Sequence, residues 1–219
     1  MAGHSNSVRL YRALVLLGVP LRWWVRLQVS GRSELPPANR AVLVVANHDS
    51  MLDPLAIADT MMRAGRPIRF LAMERLWHSR VLAVVLDGVR QIPIRRGQQD
   101  IEAMQNAIDA LAEGDAVCIF PEGGLSGGRR VRARSGVARL IEGCPDAEVL
   151  LAAVAGGTDL ARFPRRPKVT VELFRPRQPV RNSTAEAHSE IAGRLLGEIR
   201  ERVPPVAAGR HSDRLSATP

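Results

Sequence analysis

The sequence predicts an α/β domain, a mixed and largely parallel sheet flanked by helices, and two observations carry that expectation. Short apolar runs of strand length recur along the chain. They alternate with segments whose apolar residues repeat every three or four positions, the pattern that joins strands through helical crossovers. Composition agrees: 46% of the residues are hydrophobic but only 4% aromatic, which calls for an aliphatic core in a globular chain. The 219 residues suit one domain, or one domain with a short appendage.

Residues 8–29 carry Val8, Leu10, Tyr11, Leu14, Leu17, Leu21, Trp24 and Leu27, interleaved with Arg9, Arg12, Arg22 and Arg26. Pro20 bends or breaks any helix there. Two short helical pieces with Trp23-Trp24 and flanking arginines suit an element lying in a membrane surface. A core-packing helix hairpin suits the same pattern equally. On the first alternative the chain divides into an amphipathic membrane-associating segment over 1–30, a main domain over 31–202, and a disordered tail over 203–219.

Gly31, Pro36 and Pro37 mark a turn-rich lead-in to a buried strand at 41–46. A helix at 55–62 follows, with Asp53 expected as its N-cap and Pro54 in its first turn. Then come a strand at 68–73, a helix at 81–86 and a short strand at 91–94. Residues 100–112 form a clear amphipathic helix, because Ile101, Met104, Ala107, Ile108 and Leu111 share one face and Glu113-Gly114 closes it. Strands are expected at 116–120, 149–154 and 169–174, and a helix at 186–202 closes the domain.

The formal net charge is +9 with a pI of about 11.2, almost all of it arginine, since Lys168 is the only lysine. Such a balance admits nucleic acid, an anionic membrane surface or a phosphate-bearing ligand as partner. Scarce aromatics and the lack of a reader motif weigh against nucleic acid. Cys118 and Cys144 have neither metal-ligand nor disulfide spacing, so no metal site is expected and the setting is a reducing, cytosolic one. The start shows no signal-peptide pattern. No run reaches the roughly 18 uninterrupted apolar residues of a spanning helix.

Three constellations fall at strand ends, where loops carry function. In Asn47-His48-Asp49-Ser50-Met51-Leu52-Asp53, a histidine follows a strand directly and a carboxylate stands five residues on. A carboxylate accepting from one imidazole nitrogen fixes the tautomer and frees the other nitrogen to take a proton. Asp53 also serves as a plain helix cap on this pattern. On that pattern His48 activates the hydroxyl of a substrate. In Ile92-Pro93-Ile94-Arg95-Arg96-Gly97, a strand ends in a paired-arginine fork suited to phosphate. In Phe120-Pro121-Glu122-Gly123-Gly124-Leu125-Ser126-Gly127-Gly128, glycines let backbone amides approach a ligand, without the Gly-Lys-Ser of a P-loop. Arg129, Arg130, Arg132, Arg134 and Arg139 follow, a basic cluster open to coenzyme phosphates, an acidic carrier protein or lipid headgroups.

In order and spacing these blocks resemble the glycerolipid acyltransferases, notably the 1-acylglycerol-3-phosphate acyltransferase family. The resemblance rests on Asn47-His48 with Asp53, Ile92-Pro93-Ile94 leading to Arg96, Phe120-Pro121-Glu122-Gly123 and the apolar run 150–154, and it covers about residues 22–175. It implies His48 as general base, Asp53 as its orienter, and no acyl-enzyme. It implies a headgroup site shaped by Arg95, Arg96, Glu122, Gly123 and Gly124. The co-substrate is then an acyl thioester, acyl-CoA or acyl-carrier protein, with no cofactor. The acceptor is a lipid, and the enzyme sits peripherally on the cytoplasmic face of the membrane. Two departures bear on the acceptor. Gly124-Leu125 stands where the family has Thr-Arg, an arginine that helps hold the acceptor phosphate, and the run Leu151-Ala152-Ala153-Val154 lacks the usual proline. A phosphate-free lipid or glycolipid acceptor is therefore the alternative, and a non-catalytic basic protein that binds membrane or nucleic acid is a weaker one.

Overall fold

The computed structural model describes residues 25–95, 100–158, 166–180 and 187–203. Its seven strands are β1 (Arg26–Ser30), β2 (Val42–Ala46), β3 (Ile68–Met73), β4 (Ile92–Ile94), β5 (Ala116–Ile119), β6 (Glu148–Ala155) and β7 (Lys168–Phe174). They form one sheet in the order β1-β7-β6-β2-β5-β3-β4. Every neighbouring pair is parallel except β6 with β7. The helices among the described residues are α1 (Asp53–Arg63), α2 (Arg80–Gly88), α3 (Ile101–Ala112), α4 (Gly136–Gly143) and α5 (His188–Arg202).

The central strand β2 reads as an unbroken apolar run because both of its faces are covered, the usual consequence of helical crossovers on a parallel sheet. Leu43 and Val45 point to one side, with Val117, Ile119, Leu151 and the inner faces of α3, α4 and α5. Val42, Val44 and Ala46 point to the other, with Cys118, Leu150, Val154 and α1. Cys118 is fully buried there, as its apolar context implies, and burial pushes its thiol well above the ordinary range.

Three expectations need correction. Residues 26–30 belong to the sheet as edge strand β1, parallel to β7, rather than to the N-terminal segment. Leu27 and Val29 pack on the core while Arg26, Gln28 and Ser30 face outward, a two-residue period hidden under the apolar-basic mixture around it. Residues 1–24, which hold the rest of that segment, and 204–219 of the tail lie outside the described residues. The second correction is α4, which the sequence reading passes over: its eight residues begin and end in glycine and are too short to display a helical period. The third concerns Asp53, which is the first residue of α1 and not its cap. Leu52 occupies the cap position, and the Asp53 carboxylate turns back to accept from the backbone amides of Asp49 at 2.6 Å and Ser50 at 2.7 Å. No helix among the described residues is long and apolar enough to cross a membrane.

Parallel pairing gives β2, β5 and β6 a common carboxyl edge, while β7, antiparallel to β6, runs back toward the lead-in. Gly31 sits at that return with φ +73°, and a Cβ there would overlap the backbone carbonyl of Leu173. The conflict is with backbone, so no side-chain rotation relieves it. Gly31→Ala should lower unfolding stability by about 1–3 kcal/mol. Urea denaturation checks this, and an unchanged midpoint would show that the β1–β7 edge adapts freely.

Candidate active site

Parallel strands β2, β5 and β6 end on one edge of the sheet, and the loops beyond them meet there, as expected for ligand crevices in open α/β sheets. Asn47 closes the strand ends together. Its Oδ1 accepts from Val154 N at 2.8 Å and its Nδ2 donates to Val154 O at 2.8 Å, so a side-chain amide extends the β2–β6 ladder by one rung. The next residue, His48, is thereby presented at the mouth of the crevice.

The His48 ring lies flat against Phe120, with centroids 4.3 Å apart and planes 21° apart, and Phe120 is backed by Phe70 at 6.0 Å. Nδ1 is buried and faces Asp53 Oδ2 at 3.5 Å, the outer edge of hydrogen-bond range. Such contacts in ligand-free sites tighten when a proton is transferred. The opposite edge of the ring lines a cavity of about 1160 Å³. Burial lifts the Asp53 carboxyl above its ordinary value, against the opposing pull of His48 and the Ser50 amide. Gly157 carries no Cβ where one would press on Asp53 Oδ1 and Ser50. The structure thus brings His48 and Asp53 side by side, with the carboxylate buried behind the ring.

Glu122, expected at the headgroup site, is instead beneath the histidine. Its Oε2 accepts from His48 N at 2.7 Å, and its Oε1 is paired with Arg200. Its side chain has no exposed surface and does not line the cavity. Its role here is to hold the backbone of His48 in place, because both of its oxygens are already occupied. Gly123 and Gly124 do line the cavity, Gly123 with φ +68°. Arg95 stands at the cavity edge, paired with Asp100 and Glu102 at 3.5 Å each. Arg96 lies outside the described residues.

Arg200 and Asp49 are the residues that the sequence reading missed. Arg200 on α5 donates to both oxygens of Asp49 at 2.7 Å, to Ser126 Oγ at 2.9 Å, and to Glu122. Ser126 donates to Asp49 in turn, and Ser126 N and Gly128 N bind His48 O at 2.8 Å and Asp49 Oδ1 at 2.9 Å. Burial raises the Asp49 carboxyl, but the hydrogen bonds of Arg200 and Ser126 outweigh it and hold the group below its ordinary value. Burial raises Glu122, against the charge of Arg200. A sequence signal existed. Arg200 falls four residues after Leu196 and three before Val203, on the buried face of an amphipathic helix, and a charge there demands a partner.

The cavity is mostly apolar, with Leu52, Leu71, Val85, Leu86, Met104 and Ile119 among its walls, and arginines at its edge. Its size exceeds the roughly 300–1,000 Å³ of ordinary small-molecule sites. It has room for a long apolar chain beside a charged group, both within reach of one imidazole.

The Acyltransferase family model matches residues 26–154 of the chain. Human 1-acyl-sn-glycerol-3-phosphate acyltransferase alpha is 35% identical over 112 residues, which cover 50% of this chain and 38% of the human protein. The 1-acyl-sn-glycerol-3-phosphate acyltransferase of Chlamydomonas reinhardtii is 29% identical over 100 residues, covering 45% of this chain and 29% of that protein. The chain thus spans well under half the length of these curated relatives in the matched region. Among solved structures, the 1-acyl-sn-glycerophosphate acyltransferase of Thermotoga maritima superposes with a TM-score of 0.64 at 20% identity, over 89% of this chain and 74% of its own. That likeness is one of fold.

The ion cluster generates a stability prediction. Removing the cation leaves Asp49 and Glu122 buried against each other, and breaking a buried pair in this way costs about 3–5 kcal/mol. Arg200→Ala should show that loss in chemical denaturation, and Arg200→Lys, which keeps the charge without the fork, a smaller one. Equal stability of all three proteins would remove the cluster from the fold's energetics.

Proposed function

The chain belongs to the Acyltransferase family, and from that premise we propose that it transfers a fatty acyl group from a thioester to a lysolipid hydroxyl. The preferred acceptor is 1-acylglycerol-3-phosphate, which places the reaction in phospholipid synthesis. One observation carries the reading: His48 has one nitrogen sealed against Asp53 and the other edge open to a large apolar cavity bordered by arginine.

The step balances without an enzyme-bound acyl group. The acceptor hydroxyl gives its proton to His48 Nε2 as its oxygen attacks the thioester carbonyl carbon. The carbon–sulfur bond then breaks, and the imidazolium returns the proton to the leaving thiolate. Asp53 stabilises the transient imidazolium through Nδ1. The acyl chain lies along the apolar walls. The donor is acyl-CoA or acyl-carrier protein. A second reading, an acceptor without phosphate, is favoured by Leu125, which is 48% exposed at the cavity where it offers no charge.

We place the enzyme peripherally on the cytoplasmic face of a membrane. Val81 and Val84 on α2 are 75% and 71% exposed, Met51 and Leu55 are 62% and 55% exposed, and Met51, Leu55 and Leu82 also line the cavity. An apolar face continuous with the site, on a chain of net charge +9, fits an anionic bilayer that delivers the lipid substrate. Val81→Glu with Val84→Glu should reduce sedimentation with anionic vesicles, and removal of residues 1–24, which spares β1, should reduce it further. Full retention by both variants would place the attachment elsewhere.

The dyad is tested by separating reaction from stability. His48→Ala should lower transfer by about 10²–10⁴-fold. Asp53→Asn should cost less, since an amide oxygen still accepts from the Asp49 and Ser50 amides and only the charge facing His48 is lost. The sign of the Asp53 shift adds a second readout. Its native value lies above the ordinary 3.8, so the native state holds this proton more tightly and stability falls as pH rises through that window. Asparagine escapes that loss, so Asp53→Asn should be at least as stable as the parent at pH 7 in urea while slower in a transfer assay. Marked destabilisation with normal turnover would assign Asp53 to the fold alone.

A further inference from the structure

We propose that Arg134 is the anchor for a phosphomonoester on the acceptor, a role that rests on the acyl-transfer reading above. Among the described residues, five arginines border the cavity: Arg75, Arg95, Arg132, Arg134 and Arg139. Arg95 is committed to Asp100 and Glu102. The other four have no carboxylate partner among the described residues, so their charge is free for an anionic ligand.

Among those four, the seating of Arg134 is built into the motif loop. Its backbone amide donates to Pro121 O at 2.8 Å, which fixes residue 134 beside the turn after β5. Its side chain then crosses Gly123 so closely that a Cβ at that position would overlap Cδ and Nε. Gly123 N in turn bonds Phe120 O at 3.0 Å, and the Phe120 ring is the platform under His48. The missing side chain at 123 therefore makes the channel through which a guanidinium reaches the cavity, two residues of loop away from the histidine's support. Leu125, farther along the same loop, is uncharged. A planar fork held in this way suits the oxygens of a phosphate dianion, and the acceptor's hydroxyl is then held between that anchor and His48.

Phosphate also occurs on coenzyme A, so the test separates the two sources. Arg134→Ala and Arg134→Lys are assayed with S-acyl-N-acetylcysteamine, a phosphate-free donor, on 1-acylglycerol-3-phosphate and on monoacylglycerol. Arg134→Ala should raise KM for the phosphorylated acceptor by about 10–100-fold, with kcat changed little and monoacylglycerol use unaffected. Arg134→Lys should recover part of the loss. Binding of the deoxy analogue, an acyl propanediol phosphate with no hydroxyl to acylate, should weaken by a similar factor in calorimetry. Arg134 is exposed, so the fold is not at stake. Equal loss on both acceptors overturns the proposal, as does a loss seen only with acyl-CoA, which assigns Arg134 to the donor. If the parent acylates no lysolipid while analogue binding still depends on Arg134, the anion site stands and the acyl-transfer reading fails. Analogue binding indifferent to Arg134 ends the proposal whatever the enzyme catalyses.

Discussion

Two carboxylates buried at one sheet edge require a cation, and Arg200 is where the chain supplies it. Asp49 follows the end of β2 and Glu122 the end of β5, and neither has access to bulk water sufficient to solvate a charge. The guanidinium from α5 reaches both and also Ser126. Removing an ion from water is expensive, so such a cluster is held only where geometry satisfies every donor and acceptor. Its consequence is connectivity: a helix from the far end of the sequence locks two loops that are 74 residues apart.

That lock decides which side of His48 is rigid. Glu122 holds its backbone amide, Ser126 its carbonyl, Phe120 its ring face, and Asp53 confronts its buried nitrogen. Only the edge toward the cavity is left open. On the proposed function, a base held in this way begins near the geometry that proton transfer needs, with its orientation supplied by folding. The raised Asp53 and Glu122 carboxyls are the electrostatic counterpart, each lifted by burial in a poorly solvated place.

The cavity divides into an apolar interior and a basic margin, and α2 extends the apolar part to the surface. This polarity matches an amphiphile whose chain and headgroup must both be held while its hydroxyl faces the histidine. On the proposed function, the margin arginines without carboxylate partners among the described residues keep their charge for an anionic lipid.

Periodicity was enough to determine the alternating strands and helices and the burial of Cys118, while the family resemblance carried by motif order pointed to His48, Asp53, Gly123 and Gly124 as neighbours. These are local facts: strand faces alternate, glycines permit tight turns, and five residues from a strand end to a helix start bring a carboxylate back to a ring. What lay beyond the sequence was long-range. β1 was hidden because its two-residue period is brief and sits among arginines that blur it. A carboxylate before proline suits a helix cap as well as a partner for His48, and only the amides of Asp49 and Ser50, with the space left by Gly157, fix Asp53 toward His48. Glu122 was read as a ligand contact because motifs do not show which way a side chain points; only the arrival of Arg200 from α5 made its burial affordable. Tertiary structure decided those roles because the stability of a buried charge depends on its partner, and the partners here are set by how the sheet and its helices pack.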